Sequence, residues 1–199
     1  MNSTDAGERK VIITGIGGQG IVFLTRLISH TALDLGHAVV VSETHGMSQR
    51  GGSVISHLKI NGSDAPLIQR GSADMMIAMD PHEAMQNMDF MRRGGMVFVN
   101  NAEGLHPDLT PHLERLNIRV VNFPATAAAV ELDSPAAANI VMAGFVAAFS
   151  ILNLPYENII ETLKQISKKG SGKNLQALHA GFQAGKKMNE AQTIFENAR

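Results

Sequence analysis

Residues 10–20 read Lys10-Val11-Ile12-Ile13-Thr14-Gly15-Ile16-Gly17-Gly18-Gln19-Gly20, and this stretch decides the fold. Its β-branched, apolar first half favours a strand. Gly15, Gly17 and Gly20 then follow the spacing Gly-x-Gly-x-x-Gly and lead into a helical pattern. In a strand–turn–helix unit, such glycines permit a tight turn, close approach of the backbone to a phosphate, and close packing of helix on strand. We therefore predict a strand, a glycine turn and a helix, in that order.

The rest of the chain up to residue 123 alternates β-branched runs with helical patterns. Strands are predicted at residues 11–14, 38–43, 53–60, 75–79, 96–100 and 118–123, and helices at 18–35, 81–93 and 107–116. This alternation predicts an α/β fold, a Rossmann-like and mostly parallel sheet with helices on both faces. Gly36 indicates the end of the first helix, Pro81 after Asp80 indicates the start of the second helix, and Gly94-Gly95 indicates the end of the second helix.

The segment 53–60 has a different pattern from the other strands. Apolar and polar residues interleave along it, which predicts a strand exposed on one face. It ends at Asn61-Gly62, a dipeptide that is typical of hairpin turns. We therefore expect an antiparallel excursion around residues 53–69.

After Pro124 the strand patterns stop. Helices are predicted from Ser134 to about residue 152, from Pro155 to about 168, and from Asn174 to about 196, with a break at 169–173. The whole chain, residues 1–199, is accordingly predicted to be one domain. It would have an α/β core at about 8–123 and a helical C-terminal part at about 124–199.

Composition excludes several classes of function. The formal net charge is −1 and no basic tract stands out, so neither nucleic acid nor an anionic membrane is an expected partner. The chain has no cysteine, which excludes disulfides, a cysteine nucleophile and an iron–sulfur cluster ligated by this chain. No histidine spacing indicates a metal site. Residues 136–152 are nearly all apolar but fall short of a membrane span, and the polar first ten residues favour a cytoplasmic location.

Two neighbouring segments carry the polar chemistry. Glu43, at the end of the second strand, lies 23 residues after Gly20 (43 − 20), where a dinucleotide enzyme keeps its ribose-binding acid. The loop that follows combines His45, Arg50 and Gly51. An arginine fork suits a phosphate or a carboxylate, and a structural loop with Arg50 in a salt bridge explains the same residues equally well.

Taken together, the two segments resemble a known family. Ile16-Gly17-Gly18-Gln19-Gly20 followed by Glu43-Thr44-His45-Gly46-Met47-Ser48-Gln49-Arg50-Gly51-Gly52 is similar to the gamma-type domain of 2-oxoacid:ferredoxin oxidoreductases. The resemblance spans nearly the whole chain and includes Met79-Asp80-Pro81, residues 138–144 and residues 173–182. Within that family, the His-Gly-Met-x-Gln-Arg-Gly-Gly loop resembles that of indolepyruvate-type members, which act on aryl pyruvates.

The resemblance implies a function that this chain cannot perform alone. The family carries out oxidative decarboxylation of a 2-oxoacid with coenzyme A, giving an acyl-CoA, carbon dioxide and reduced ferredoxin. Thiamine diphosphate, magnesium and 4Fe-4S clusters are then expected on a large partner subunit, with ferredoxin as the electron acceptor of the complex. No catalytic residue is assigned to this chain. The expected contacts to coenzyme A or a partner's cofactor are Gly15, Gly17, Gly18, Gln19, Gly20, Glu43, His45, Arg50 and Gly51.

Three alternatives stay open at this point. The chain could belong to a pyruvate, oxoglutarate or branched-chain 2-oxoacid oxidoreductase. It could be a stand-alone NAD(P)-binding reductase that uses Gly15–Gly20 and Glu43, although no Tyr-x-x-x-Lys pair follows the turn. It could also be a structural or regulatory binding module that shares the fold.

Overall fold

The structure, a computed structural model, describes residues 7–45, 51–167 and 171–197. The chain divides into two compact units after Pro124. This boundary coincides with the predicted end of the α/β core, and the assignment of residues 1–199 to one domain stays a prediction. The first unit contains the strands β1 (Arg9–Ile16), β2 (Val39–His45), β3 (Ser53–Ile60), β4 (Ala73–Ala78), β5 (Met91–Val99) and β6 (Arg119–Asn122), and the helices α1 (Ile21–Asp34), α2 (Pro81–Gln86) and α3 (Thr110–Leu116).

The six strands form one mixed sheet in the order β2-β3-β1-β4-β5-β6. β1, β4, β5 and β6 are mutually parallel neighbours, whereas β3 is antiparallel to both β1 and β2. The predicted α/β fold and the antiparallel excursion are therefore confirmed. The hairpin differs in detail, because β2 and β3 are joined by the connection between His45 and Ser53. Asn61, with a φ of 55°, ends β3 instead of joining it to an antiparallel partner.

The expectation that β3 is half-exposed was wrong. Residues 56–60 are all buried, including the polar His57 and Lys59. β3 lies inside the sheet, and the chain that follows it covers one of its faces. There Ile68 N donates to His57 Nδ1 (3.2 Å) and Lys59 Nζ donates to the carbonyl of Ala65 (2.6 Å). The alternation of apolar and polar residues along β3 thus occurs in a strand that is covered on both faces.

Helices pack on both faces of the sheet. Ile12, Met76 and Val97, on successive parallel strands, form a core with Ala84 of α2 and the partly buried Leu113 and Leu116 of α3. The opposite face carries α1, whose first residue, Ile21, contacts the position of Gly15. The predicted end of α1 is also observed, since Gly36 follows it with a φ of 82°.

The predicted second helix is shorter than expected. α2 ends at Gln86, and a short 3-10 helix (Met88–Phe90) leads directly into β5. Gly94-Gly95 therefore lies inside a strand instead of ending a helix. It falls where the register between β4 and β5 shifts, and Gly94 has a φ of 73°. A pair of glycines serves a strand irregularity as readily as a helix end.

In the described part of the second unit, the regular secondary structure is all helical. It contains α4 (Ala125–Glu131), α5 (Ala138–Ala147), α6 (Tyr156–Ile166) and α7 (Ser171–Asn197), with a short 3-10 turn before α5. α4 was not predicted, α5 ends earlier than expected, and α7 begins at Ser171 within the predicted break. No helix in the described ranges is both long enough and apolar enough to cross a membrane.

α5 and α7 cross at very short range. A Cβ atom on Gly144 would overlap the carbonyl of Leu178, and one on Gly181 would overlap the carbonyl of Val141. Gly185, one turn further along α7, faces the carbonyl of Phe145 in the same way. The glycines in residues 138–144 and 173–182 are therefore explained by helix packing.

Candidate functional site

The glycine turn between β1 and α1 is held in one conformation by Gln19. Its side-chain Oε1 accepts a hydrogen bond from Ile16 N (2.8 Å), and its backbone N donates to the carbonyl of Ile16 (3.0 Å). Gly18 and Gly20 have φ values of 101° and 78°, which side chains rarely adopt. The four glycines therefore give a sharply bent turn that is closed by its own glutamine.

Gly15 is required for packing rather than for an unusual backbone angle. A Cβ atom there would lie 2.6 Å from Ile21 Cδ1, 2.7 Å from Gln19 Oε1 and 3.1 Å from Met79 Cβ. The absence of a side chain lets α1 begin directly against β1. This is the close helix–strand packing expected of one glycine in the fingerprint.

The turn contacts the end of the second polar segment. Gly17 N donates to the carbonyl of Gly52 (2.8 Å). A Cβ atom on Gly17 would lie 3.5–3.8 Å from backbone atoms of Gly51 and Gly52. Gly17, Gly18 and Gly51 are all exposed. These residues form one continuous backbone surface, which we call the composite surface: Gly17–Gly20 together with Gly51–Ser53.

The other predicted residues are placed as follows. Glu43 pairs with Ser56, and Ser56 pairs with Ile13, so Glu43 lies two strands away from β1. The backbone of His45 ends β2 opposite Val54, whereas its side chain lies outside the described part of the chain. Arg50 also lies outside the described residues.

The position of Glu43 bears on the dinucleotide alternative. In that motif, the acid ends the strand adjacent to the first strand of the βαβ unit. Here β3 is inserted between β1 and β2. With strands about 4.8 Å apart, Glu43 lies about 10 Å from β1, roughly twice the usual separation. The topology does not reproduce the ribose-binding geometry of a dinucleotide fold.

A buried polar cluster beneath the composite surface was missed by the sequence interpretation. Glu83 Oε2 accepts from Ser53 Oγ (2.6 Å) and lies 3.4 Å from Thr14 Oγ1, and Asn87 Nδ2 donates to Thr14 Oγ1 (3.2 Å). Asp80 caps α2, accepting from the backbone N of Glu83. The spacing Asp80-x-x-Glu83 is visible in the sequence as a helix start. Nothing in it indicates that the carboxylate of Glu83 is turned inward.

The N-terminus of α1 opens onto the composite surface. Its N-cap is Gly20, which has no side chain with which to satisfy the backbone N–H groups of the first turn. Together with the helix dipole, such groups favour an anion. The first turn of α1, next to the composite surface, therefore offers backbone N–H groups of the kind that bind anions.

A cleft of about 440 Å³ lies elsewhere along the carboxyl edge of the parallel strands. It is bounded by Pro81 and His82 after β4 and by Leu105 and His106 after β5. Within the described residues, no group of three His, Cys, Asp or Glu side chains is placed to hold a metal ion.

Comparisons with known proteins identify the family of the chain. A family model described as pyruvate ferredoxin/flavodoxin oxidoreductase matches residues 10–184. The chain is 32% identical over 186 residues to the indolepyruvate oxidoreductase subunit IorB of Archaeoglobus fulgidus, with 86% of this chain and 92% of that protein covered. Ketoisovalerate oxidoreductase subunits and 2-oxoglutarate synthase subunits from two Methanothermobacter species are also similar, at 25–27% identity.

Solved structures share the fold. The gamma subunit of a keto/oxoacid ferredoxin oxidoreductase from Geobacter sulfurreducens is similar with a TM-score of 0.71 at 22% identity, covering 89% of this chain and 98% of that one. A 2-oxoglutarate:ferredoxin oxidoreductase from Magnetococcus marinus is similar with a TM-score of 0.73 at 24% identity, covering 91% of this chain and 31% of that one. That structure contains 2-oxoglutarate, coenzyme A and succinyl-CoA.

Proposed function

Because the chain belongs to the pyruvate ferredoxin/flavodoxin oxidoreductase family, we propose that it is the small subunit of an indolepyruvate-type 2-oxoacid:ferredoxin oxidoreductase. The complex would convert an aryl pyruvate and coenzyme A into an acyl-CoA and carbon dioxide. The electron pair released by decarboxylation would pass to ferredoxin. The observation that carries this proposal is the backbone contact between Gly17 and Gly52, which joins the two family segments into one surface.

The groups that perform the redox chemistry belong to a partner subunit in this proposal. An iron–sulfur cluster needs thiolate ligands, and the chain has no cysteine. Thiamine diphosphate would supply the carbanion chemistry from that subunit. The residues of this chain would bind and orient the coenzyme, without a catalytic step of their own.

Coenzyme A is the ligand that suits the composite surface. Its phosphates carry the negative charge that the uncapped start of α1 and the backbone of a glycine turn favour. Gly17 and Gly18 are exposed and lack side chains, so a phosphate can approach the backbone closely. Arg50, close in sequence to Gly51, would add a charged fork to the same anion.

The choice among 2-oxoacids is supported by sequence similarity. The indolepyruvate subunit named above shares 32% identity over 92% of its length, against 27% or less for the ketoisovalerate and 2-oxoglutarate subunits. The loop from His45 to Gly52 also resembles the indolepyruvate form. A pyruvate, 2-oxoglutarate or branched-chain enzyme is the alternative that the substrate test below distinguishes.

Purification from native extract under anaerobic conditions tests the assembly. We expect this chain to co-purify with a large subunit that carries thiamine diphosphate and iron–sulfur clusters. The complex should reduce ferredoxin faster with indolepyruvate than with pyruvate, 2-oxoglutarate or 2-oxoisovalerate. Isolation of the chain as a homo-oligomer without such a partner would refute the assembly, and a preference for another 2-oxoacid would refute the substrate.

Ligand binding separates coenzyme A from nicotinamide cofactors. A ligand that binds only the folded state raises the melting temperature, so the complex is heated with NAD, NADP or coenzyme A. We expect coenzyme A to raise the melting temperature, and NAD and NADP to leave it unchanged. An Arg50→Ala complex should show a raised KM for coenzyme A. An unchanged KM, together with no thermal shift, would exclude this surface as the coenzyme site.

A further inference from the structure

Glu83 is a buried carboxylate that the function described so far does not use. It lies on α2 and is only 7% exposed. Within the described part of the chain, its carboxylate accepts from Ser53 Oγ and shares the Thr14 hydroxyl with the carbonyl of Val54. A buried carboxylate is unfavourable unless hydrogen bonds or a cation compensate for its lost hydration. The hydroxyl of Ser53 provides part of that compensation.

α2 holds Glu83 in place by its helix cap. Asp80 Oδ1 accepts from the backbone N of His82 (2.8 Å) and of Glu83 (3.2 Å), which fixes the first turn of the helix. Asn87 at the other end of α2 donates to the carbonyl of Glu83 (2.9 Å) and to Thr14 Oγ1. The carboxylate is thus oriented from both ends of a short helix.

The bond from Ser53 Oγ to Glu83 is the short one, at 2.6 Å. Bonds from a hydroxyl to an ionised carboxylate are about this short and are stronger than neutral ones. Ser53 directly follows Gly52, whose carbonyl accepts from Gly17 N. Two consecutive residues, Gly52 and Ser53, are therefore attached to the glycine turn and to Glu83 respectively.

From this arrangement we infer that Glu83 is a positioning residue: through Ser53 it holds Gly51–Ser53 against the glycine turn and so fixes the composite surface. Glu83 itself is buried and does not reach the surface. It adds to the β1–β3 pairing, in which Ser53 lies opposite Ile16, by fixing the side chain of Ser53 and with it the position of the Gly51–Gly52 backbone. The effect of Glu83 on coenzyme A binding rests on the proposed function, whereas its effect on the position of the backbone does not.

Hydrogen exchange of the Gly17 amide measures the positioning directly, because that N–H is the donor to Gly52. The full chain is compared by NMR with Glu83→Gln, Ser53→Ala and the double variant. Loss of this hydrogen bond in Ser53→Ala should speed exchange at Gly17 by about tenfold, and its replacement by a neutral hydroxyl–amide bond in Glu83→Gln should give a smaller increase. The double variant should be no faster than Ser53→Ala, because both substitutions act on the same bond. Glu114→Gln, which neutralises an exposed carboxylate on α3, is the matched control and should leave Gly17 unchanged.

The amides of Ile12 and Ile13 in β1 serve as the internal reference. Unchanged exchange at Gly17 in Glu83→Gln and Ser53→Ala would overturn the inference. Equal acceleration at Gly17 and at the β1 amides would overturn it too, because that result means general destabilisation.

Steady-state kinetics of the complex give the functional outcome. A surface displaced from its place should raise the KM for coenzyme A and leave kcat nearly unchanged. Ser53→Thr, which keeps the hydroxyl, should restore both exchange and KM toward wild type. Faster exchange at Gly17 with an unchanged KM would uphold the positioning role and refute the coenzyme A contact.

Discussion

Replacing Gly15 by alanine tests the packing of the glycine turn most directly. The new methyl group would lie 2.6 Å from Ile21 Cδ1, about 1 Å inside the normal carbon–carbon contact of 3.5–4.0 Å. Ile21 is buried and Met79 Cβ is attached to backbone, so neither can move aside freely. Overpacking of this kind costs about 1–3 kcal/mol, offset by roughly 0.4–1 kcal/mol from the less flexible unfolded chain. We expect a net loss of about 1–2 kcal/mol.

Gly17→Ala is the matched control two residues further on. A Cβ atom there would have its closest contact at 3.5 Å, an ordinary distance, and the backbone angle needs no glycine. Its stability should equal or slightly exceed that of the wild type, while its methyl group obstructs the composite surface and raises the KM for coenzyme A. Urea unfolding followed by far-UV circular dichroism measures the first effect. Equal midpoints for Gly15→Ala and the wild type, or equal losses in both variants, would refute the packing argument.

Four further predictions test other parts of the fold. Gly181→Ala should destabilise the helical unit by at least about 1–3 kcal/mol in urea unfolding, because its methyl group would overlap a backbone carbonyl of α5. The control is Gly172→Ala in α7, which has open space around it and should stabilise the unit by about 0.5–1 kcal/mol. Asp80→Ala should cost about 1 kcal/mol through loss of the α2 cap, measured the same way, with an asparagine variant close to wild type. Burial, with a smaller effect from the positive charge of Lys59, lowers the pKa of His57 below its ordinary value of 6.5. The unfolded chain therefore binds more protons, and the free energy of unfolding should fall as the pH drops below about 6.5. A His57→Gln variant should show a weaker fall between about pH 7 and 5. Ser56→Ala removes a buried hydroxyl without a hydrogen-bond partner in the described structure and should leave melting temperature unchanged or raise it; a clear decrease would contradict that assignment.

The sequence predicted the elements around β1 well because their signals are local. The apolar run, the glycine spacing and Gly36 each have one strong structural meaning, so the strand, the turn and the end of α1 are observed as expected. The two segments that carry the family resemblance meet at Gly17 and Gly52. The prediction that Gly94-Gly95 ends the second helix was wrong, because a pair of glycines suits both a helix end and an irregular strand. Sequence spacing does not distinguish these two structures.

The burial of particular polar side chains could not be predicted from the sequence. His57 and Lys59 sit at alternate positions that indicate a solvent face, yet the chain after β3 covers them. Glu83 likewise reads as an ordinary residue of a helix start. Both cases depend on which segment packs above a polar side chain, and that is decided by tertiary contacts far apart in sequence.

The strand order also determines when the composite surface can form during folding. β2 and β3 are close in sequence and can pair early, whereas β3 joins β1 only after residues as distant as Ile16 and Ser53 have met. Pairings between distant residues form later, because closing a long loop costs entropy before any contact is gained. The two glycine segments thus meet only after β3 has docked on β1. A ligand or partner that needs both segments binds only chains in which β3 has paired with β1.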